Sequence, residues 1–370
     1  MEFGGCFIVL SIKQMRVLQL PYNSASSISN TVRGLREIGV EARGLCFAQG
    51  NRQNPEGIKM IEHQENRWSF KKLKNTWDRY YYFLNWVRWA DVLHWYWDAD
   101  ILPNQLDLKY VKYLNKPAVI EWVGSDIRIP EIEMKDNPYY ANAFNNGYEF
   151  AKLENFQTSY NRQKKFYDAG FEAYPYMGVE YYLQKEFFPN YHQTGARIVL
   201  SDYEAIYPSE LNVKPLIVHS PSAKVTKGTP YVLQAIENLK DKYNFEFKLI
   251  HNLPRSEALK LVSQADIFLD QFILGSYGLA SIEAMAMGKP TLCYIKPYMQ
   301  TVYPNDLPIV NANPDNLTEK LGFLLENPLM RNQLGKQSRA YTEKHNDMKV
   351  VGHQLVKIYE EVIRNKRKNK

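Results

Sequence analysis

Short apolar segments alternate with helix-patterned ones along nearly the whole chain, and this alternation limits the fold more than any other feature. Arg16–Leu20 reads as a first strand, followed by a polar loop, Pro21–Ser27. Ile28, Val32, Leu35 and Ile38 then recur at helical spacing until Gly39 stops the helix. Val40–Leu45, Asp91–Tyr96 and Pro117–Trp122 read as further strands, and Phe150–Ala169 as an aromatic-rich helix. A second series runs through Arg197–Leu200, Leu216–Val218, Phe245–Ile250, Ile267–Leu269 and Thr291–Ile295. Val351, Leu355, Ile358 and Val362 mark one apolar stripe on a final helix. Strands separated by helices form parallel sheets, so the pattern predicts an α/β architecture in two successive series. The expected division is an N-terminal extension at 1–14, a first domain at 15–193, a second at 194–345 and a closing helix at 346–370.

The chain has 370 residues, enough for two domains of ordinary size. Its apolar fraction of 45% and charged fraction of 23% are those of a soluble globular protein. The net charge of +6 allows a basic surface without calling for nucleic acid, and no nucleic-acid partner is expected. Cys6, Cys46 and Cys293 lie far apart, form no metal-ligand spacing and suit a reducing compartment. No apolar run reaches the ~20 residues that span a bilayer. These features point to a cytoplasmic protein.

Chemistry concentrates in the second half. Residues Gly275–Pro290 set a glycine loop before a short helix that carries one carboxylate, Glu283, and ends at Gly288. Glycine lets backbone approach a ligand, and a helix N-terminus offers free N–H groups to an anion. A carboxylate one turn further on can accept hydrogen bonds from sugar hydroxyls. The run from His219 to Pro230 is a second such junction, with Thr229 as N-cap, Pro230 as first helical residue, and Lys224 and Lys227 beside the helix start. Two lysines at one helix terminus suit a diphosphate.

On the N-terminal side, Asp126 and Arg128 follow a Gly-Ser turn, where they could bind acceptor groups or simply cap the turn. His94, at the end of an apolar strand, could line a cleft or be a satisfied structural residue. Asp98-Ala99-Asp100 imitates an Asp-x-Asp metal motif, but two acids one apart arise readily by chance, and no metal or other cofactor is expected. From Arg67 to Trp89 aromatic and basic residues interleave, which would suit an anionic membrane surface or a helix packed into its own domain.

The run Gly275–Pro290 resembles the C-terminal signature of retaining, two-domain (GT-B fold) glycosyltransferases of the glycosyltransferase family 4 type. His219–Ser222 followed by Lys227-Gly228-Thr229 is similar to that family's diphosphate loop. Met15–Pro21 and Glu121–Arg128 resemble its first strand and its Gly-Ser-Asp acceptor-side loop. The resemblance implies two Rossmann-like domains facing a cleft, with the closing helix crossing back onto the first domain. It also implies that Glu283 holds the donor ribose and Lys227 the diphosphate. It further implies that Tyr277, Gly278 and Leu279, with Ser276, run along the phosphates and sugar. Lys224, Gly228 and Thr229 complete the expected donor side; Asp126 joins Lys227 as a catalytic candidate, with Arg128 and His94 on the acceptor side.

Three positions depart from the family pattern. The first glutamate of the Glu-x7-Glu motif is Gly275, an arginine five before Lys227 is Ser222, and the histidine before the Gly-Ser-Asp turn is Val123. Lys224 is expected to replace the arginine. The resemblance thus implies a metal-independent, retaining hexosyltransferase taking a nucleotide-sugar donor and a glycan or lipid-linked glycan acceptor. A role in surface polysaccharide synthesis, at the inner face of a membrane, goes with it. The alternative is a catalytically weak or inactive GT-B protein serving another transferase as a binding or assembly partner. A sugar-nucleotide epimerase would need flanking acid/base groups that the sequence does not offer. A dinucleotide oxidoreductase would need a Gly-x-Gly-x-x-Gly after the first strand.

Overall fold

The computed structural model describes residues 15–47, 53–61 and 70–368. The segment 1–14, and Arg67 and Trp68 of the aromatic-basic stretch, lie outside them. Two parallel sheets organise the chain. The first contains β1 (Arg16–Leu20), β2 (Glu41–Cys46), β3 (Ile58–Met60), β4 (Val92–Tyr96), β5 (Ala118–Trp122) and β6 (Glu172–Pro175), in the order β3-β2-β1-β4-β5-β6. The second contains β7 (Leu216–His219), β8 (Glu246–Leu249), β9 (Ile267–Leu269), β10 (Thr291–Cys293) and β11 (Val310–Asn311), in the order β11-β10-β9-β7-β8. Both sheets reverse direction of growth beside their first strand, which opens a crevice beyond the carboxyl ends of the strands.

Strands β4 and β5 are buried at every position, as continuous apolar runs covered on both faces must be. Helix α1 (Ser27–Glu37) packs Ile28, Val32 and Leu35 against that sheet. Three short strands escaped the sequence pattern. β3 and β11 are edge strands of three and two residues, and β6 ends in Pro175. Two expected elements differ. The helix expected over Phe150–Ala169 is α6 (Phe156–Asp168), because Asn155 caps it by accepting the Thr158 N–H at 2.8 Å. Arg197–Leu200 is not a strand of the second sheet. Ile198 instead exchanges backbone bonds with the chain's return path, from its N–H to Asn346 O (2.9 Å) and from Met348 N–H to its own carbonyl (2.8 Å).

That exchange launches α13 (Met348–Lys368), which buries Met348, Val351, Leu355, Tyr359 and Val362 in one cluster with Val17, Val32 and Val92 of the first sheet layer. A second bridge between the sheets is the segment holding α4 (Pro130–Glu133) and α5 (Pro138–Asn145). Asn137 donates to Ile273 O (2.8 Å), and Asn142 to the Tyr231 hydroxyl (2.9 Å). Glu149 accepts the N–H groups of Val225 and Thr226, each at 2.8 Å. Tyr140 and Tyr148 pack edge-to-face at 5.2 Å and share a buried cluster with Ile273. The cleft is therefore held from both ends.

His219 closes the end of β7. Its ring nitrogens meet Leu269 O and the Thr229 hydroxyl, both at 2.9 Å. Burial pushes its pKa down to about 4, so the folded protein keeps it neutral. The unfolded chain binds a proton there below about 6.5, so this contribution to stability is complete above that pH and is lost as pH falls toward 4. Chemical denaturation at pH 7.5, 5.5 and 4.5 should show the wild type losing on the order of 3 kcal/mol more than His219→Gln across that range. Parallel losses in the two proteins would count against a neutral buried His219.

Candidate functional site

The cleft holds two contiguous cavities, of about 280 and 380 Å³, which share Ser24, Ala25 and Leu279 in their walls. The larger contains Lys227, Arg255, Leu279, Ala280 and Glu283, together with Ser220 and Ser222 from the loop after β7. The smaller lies between the domains and contains Arg128, Glu133, Arg197, Gln271, Tyr277 and Lys296 among others.

Lys227 is placed by Asp270, the residue that follows β9. Its ammonium lies 2.7 Å from Asp270 Oδ1 and 2.9 Å from Gln271 Oε1. The other Asp270 oxygen accepts from the Ser281 hydroxyl (2.7 Å) and the Gly278 N–H (3.1 Å). Burial alone would push the Asp270 carboxyl up. The Lys227 charge and these hydrogen bonds outweigh it and hold the group below the usual carboxylate range. Helix α9 (Leu279–Ala286) begins at this point. Among the described residues, no acceptor meets the N–H of Leu279 or Ala280. A lysine and two open N–H groups at a helix N-terminus make an anion site.

Glu283, one turn into α9, faces the same cavity. Its Oε1 accepts from Arg255 (2.6 Å) and from the Tyr203 hydroxyl (2.9 Å). Arg255, the first residue of α8 (Arg255–Ser263), is a cavity cation that the sequence did not single out. Lys224 is exposed and lines neither cavity, because Glu149 captures the adjacent N–H groups and fixes the turn with the Lys224 side chain outward. Lys224, the expected substitute for the missing arginine, is thus not at the cavity, and Arg255 is the second cation that lines it.

Other expected donor-side residues divide. Ser276, Tyr277, Gly278 and Leu279 line the smaller cavity. Tyr277 is buried, its ring tilted against that of Tyr303 at 4.3 Å and its hydroxyl joined to that of Tyr341. Gly228 and Thr229 sit behind the wall. Thr229 is not the N-cap of α7 (Thr229–Leu239): Gly228 occupies the cap position, and the Thr229 hydroxyl is spent on His219.

The N-terminal candidates need two corrections. Asp126 is buried and turned into its own loop, accepting from the N–H groups of Val123 (3.0 Å), Gly124 (2.8 Å) and Ile127 (3.1 Å). Burial pushes its carboxyl up to about 6. It shapes the turn and offers nothing to the cleft. His94 is fully buried, stacked on Tyr96 at 4.5 Å and held by Tyr359 Oη (2.7 Å) and Glu121 (2.8 Å). It supports Glu121, which does line the cavity, but does not reach the cleft itself. Arg128 does reach it, anchored on Glu154 (2.5 Å) and the Tyr148 hydroxyl (3.0 Å). Gly124 has φ +134°, and a Cβ there would press on the Arg128 guanidinium at 3.1 Å.

No grouping of three or more His, Cys, Asp or Glu side chains suited to a metal ion occurs among the described residues. Asp98 is bound by Arg162 and Lys165, and Asp100 by Lys165.

The family model described as "Glycosyl transferases group 1" matches residues 233–341, which include α9 and Glu283. No curated protein matches the chain in sequence. Among solved structures, sucrose-phosphate synthase from Thermosynechococcus elongatus is similar at 12% identity and TM-score 0.61, covering 95% of this chain and 100% of that one. A glycosyltransferase from Rickettsia africae is similar at 14% identity and TM-score 0.57, covering 95% and 99%. HepE from Anabaena, in complex with UDP and glucose, is similar at 13% identity and TM-score 0.52, covering 94% and 100%. The chain thus has the GT-B fold of these structures, and its residues 233–341 match the glycosyl transferases group 1 model.

Proposed function

We propose that this protein is a metal-independent, retaining glycosyltransferase of the family 4 type that moves a hexosyl unit from a nucleotide sugar to a glycan or lipid-linked glycan acceptor. One observation carries the reading. Lys227, the open N–H groups at the start of α9 and Glu283 all line one cavity, which continues into a second cavity between the domains with polar and apolar walls. The first set suits a diphosphate and the ribose beside it. The second has room for the sugar and the acceptor that meets it.

Departure of a nucleoside diphosphate places negative charge on its outer phosphate. Lys227 and the helix N–H groups would stabilise that charge where it develops, without reorganisation, because Asp270 already holds the ammonium in place. Among the described residues, both carboxylates that line the smaller cavity are paired: Glu121 is tied to Arg197 and His94, and Glu133 to Lys296 and Asn137. That favours a front-face route, in which the leaving phosphate oxygen accepts the proton of the acceptor hydroxyl as the new glycosidic bond forms on the same face. Binding of UDP in HepE from Anabaena is consistent with a nucleotide-sugar donor here.

A place at the cytoplasmic face of a membrane, in surface polysaccharide synthesis, fits one further feature. Helix α2 (Phe70–Trp89) exposes Phe70 (94%) and Trp77 (70%), with Leu73 and Tyr81 on the same side and Lys71, Lys72 and Lys74 beside them. Among the described residues, no helix is long and apolar enough to cross a bilayer.

Lys227→Ala should lower the transfer rate by about 10²–10³-fold, measured as nucleoside diphosphate release with acceptor present. Wild-type turnover would overturn the assignment. Glu283→Gln should weaken nucleotide binding by about 1–3 kcal/mol in calorimetry, and an unchanged affinity would remove Glu283 from the site. Nucleotide binding by the wild type without any turnover would favour the inactive-partner reading. Replacing Phe70 and Trp77 with Ser should weaken co-sedimentation with anionic phosphatidylglycerol vesicles by on the order of tenfold. Equal sedimentation of variant and wild type would argue against membrane attachment through α2.

A further inference from the structure

The smaller cavity is walled by ion pairs rather than by free charges. Arg197 meets Glu121 at 2.5 Å and Arg128 meets Glu154 at 2.5 Å. Lys296 meets Glu133 at 2.7 Å and Asp136 at 3.2 Å. Each of the three cations of the wall is thus held by at least one carboxylate; Glu121 and Glu133 line the cavity themselves, while Glu154 and Asp136 stand behind it. Closely spaced donors and acceptors suit hydroxyl groups, which do both.

The Lys296 pair has a geometry of its own. Glu133 comes from the N-terminal half, in α4, while Lys296 follows β10 in the C-terminal half, so their bond spans the cleft. The Lys296 stem lies over Gly275. A Cβ at Gly275 would come within 2.8 Å of Lys296 Cβ and Cγ, and the Gly275 backbone is left-handed at φ +68°. The Lys296 N–H also donates to Gly275 O at 2.9 Å. Glycine at that point in the loop is what lets the lysine chain run beside Ser276 and into the cavity.

Hydrogen-bond capacity remains on both partners. The ammonium has three donors, and Glu133 and Asp136 take two. Glu133 Oε2 accepts from Lys296 and the Tyr182 hydroxyl, whereas Oε1 accepts only from Asn137, at 2.7 Å, among the described residues. A donor and an acceptor are therefore left side by side, in a wall that also contains Gln271 and Ser276.

We propose that Glu133 and Lys296 form a specificity pair, assembled across the closed cleft, that reads the hydroxyls of an uncharged glycosyl unit on the donor. The proposal rests on the glycosyl-transfer reading and adds to it the class of sugar and the residues that select it. Neither residue touches the diphosphate cavity. Their loss should therefore spare the bare nucleotide and affect only what the sugar adds.

The test is calorimetric titration of the full chain with UDP, GDP and ADP, with UDP-glucose, GDP-mannose and ADP-glucose, and with UDP-glucuronate and GDP-mannuronate. For the base that binds, wild type should hold the neutral sugar nucleotide about tenfold tighter than its bare diphosphate. Glu133→Gln and Lys296→Met should each bring that ratio close to one and leave the bare diphosphate within about twofold, which also shows that the variants are folded. The double variant should lose no more than either single change. The acidic sugar nucleotide should bind no tighter than its neutral counterpart. A wild-type ratio of one, an undiminished ratio in both variants, or tighter binding of the acidic sugar overturns this proposal alone. Failure of every nucleoside diphosphate to bind overturns the glycosyl-transfer reading beneath it.

Discussion

The buried pair of Lys227 and Asp270 is the interaction on which the rest of the site depends. Asp270 leaves β9 at its carboxyl end and gathers three segments: the loop after β7 through Lys227, the glycine loop through the Gly278 N–H, and α9 through Ser281. An isolated carboxylate there would be costly, since an unpaired buried charge destabilises a fold by several kcal/mol. With the lysine and the helix start as partners, the same charge fixes the position of a cation. An anion that enters meets an ammonium already in place, so little of its binding energy goes into ordering the site.

The second constraint is that neither domain completes the cleft alone. Arg197, in the crossing between the sheets, is bound to Glu121 of β5, to Thr31 of α1 and to the Tyr96 hydroxyl of β4. Burial would raise the Glu121 carboxyl, but Arg197 and His94 outweigh it and keep Glu121 below the ordinary carboxylate range. Tyr359 of α13 reaches the same network through Gln19 and His94. The crossing segment and the closing helix are thus locked to the strand ends that face the cleft. On the opposite side, Glu149 and Asn137 fasten the N-terminal half to the loop that carries Lys227 and to the one that follows β9.

Much of this was legible in the sequence because it is local. Apolar runs such as Val92–Tyr96 marked the buried strands, and the glycine loop before Glu283 marked a helix start that opens onto a cavity. What stayed hidden depends on pairing between distant residues. Asp270 looked like any acid after a strand, yet its partner is 43 residues away; Lys296 lies 163 residues from Glu133. Arg255 had no motif around it. The misread residues failed for a related reason. Asp126 and His94 are the residue types that chemistry uses, but local backbone N–H groups satisfy the first and stacking and burial enclose the second. Lys224 lies near the position expected of the arginine but is exposed and lines neither cavity, in a turn whose neighbouring N–H groups are held by a carboxylate from the other half of the chain.

The most direct test of the central claim is a crystal structure of the protein with a bound nucleoside diphosphate. The account predicts phosphate oxygens within hydrogen-bond distance of Lys227 Nζ and of the N–H groups of Leu279 and Ala280, with the ribose against Glu283. A diphosphate bound elsewhere, with the Lys227–Asp270 pair facing empty solvent, would contradict it.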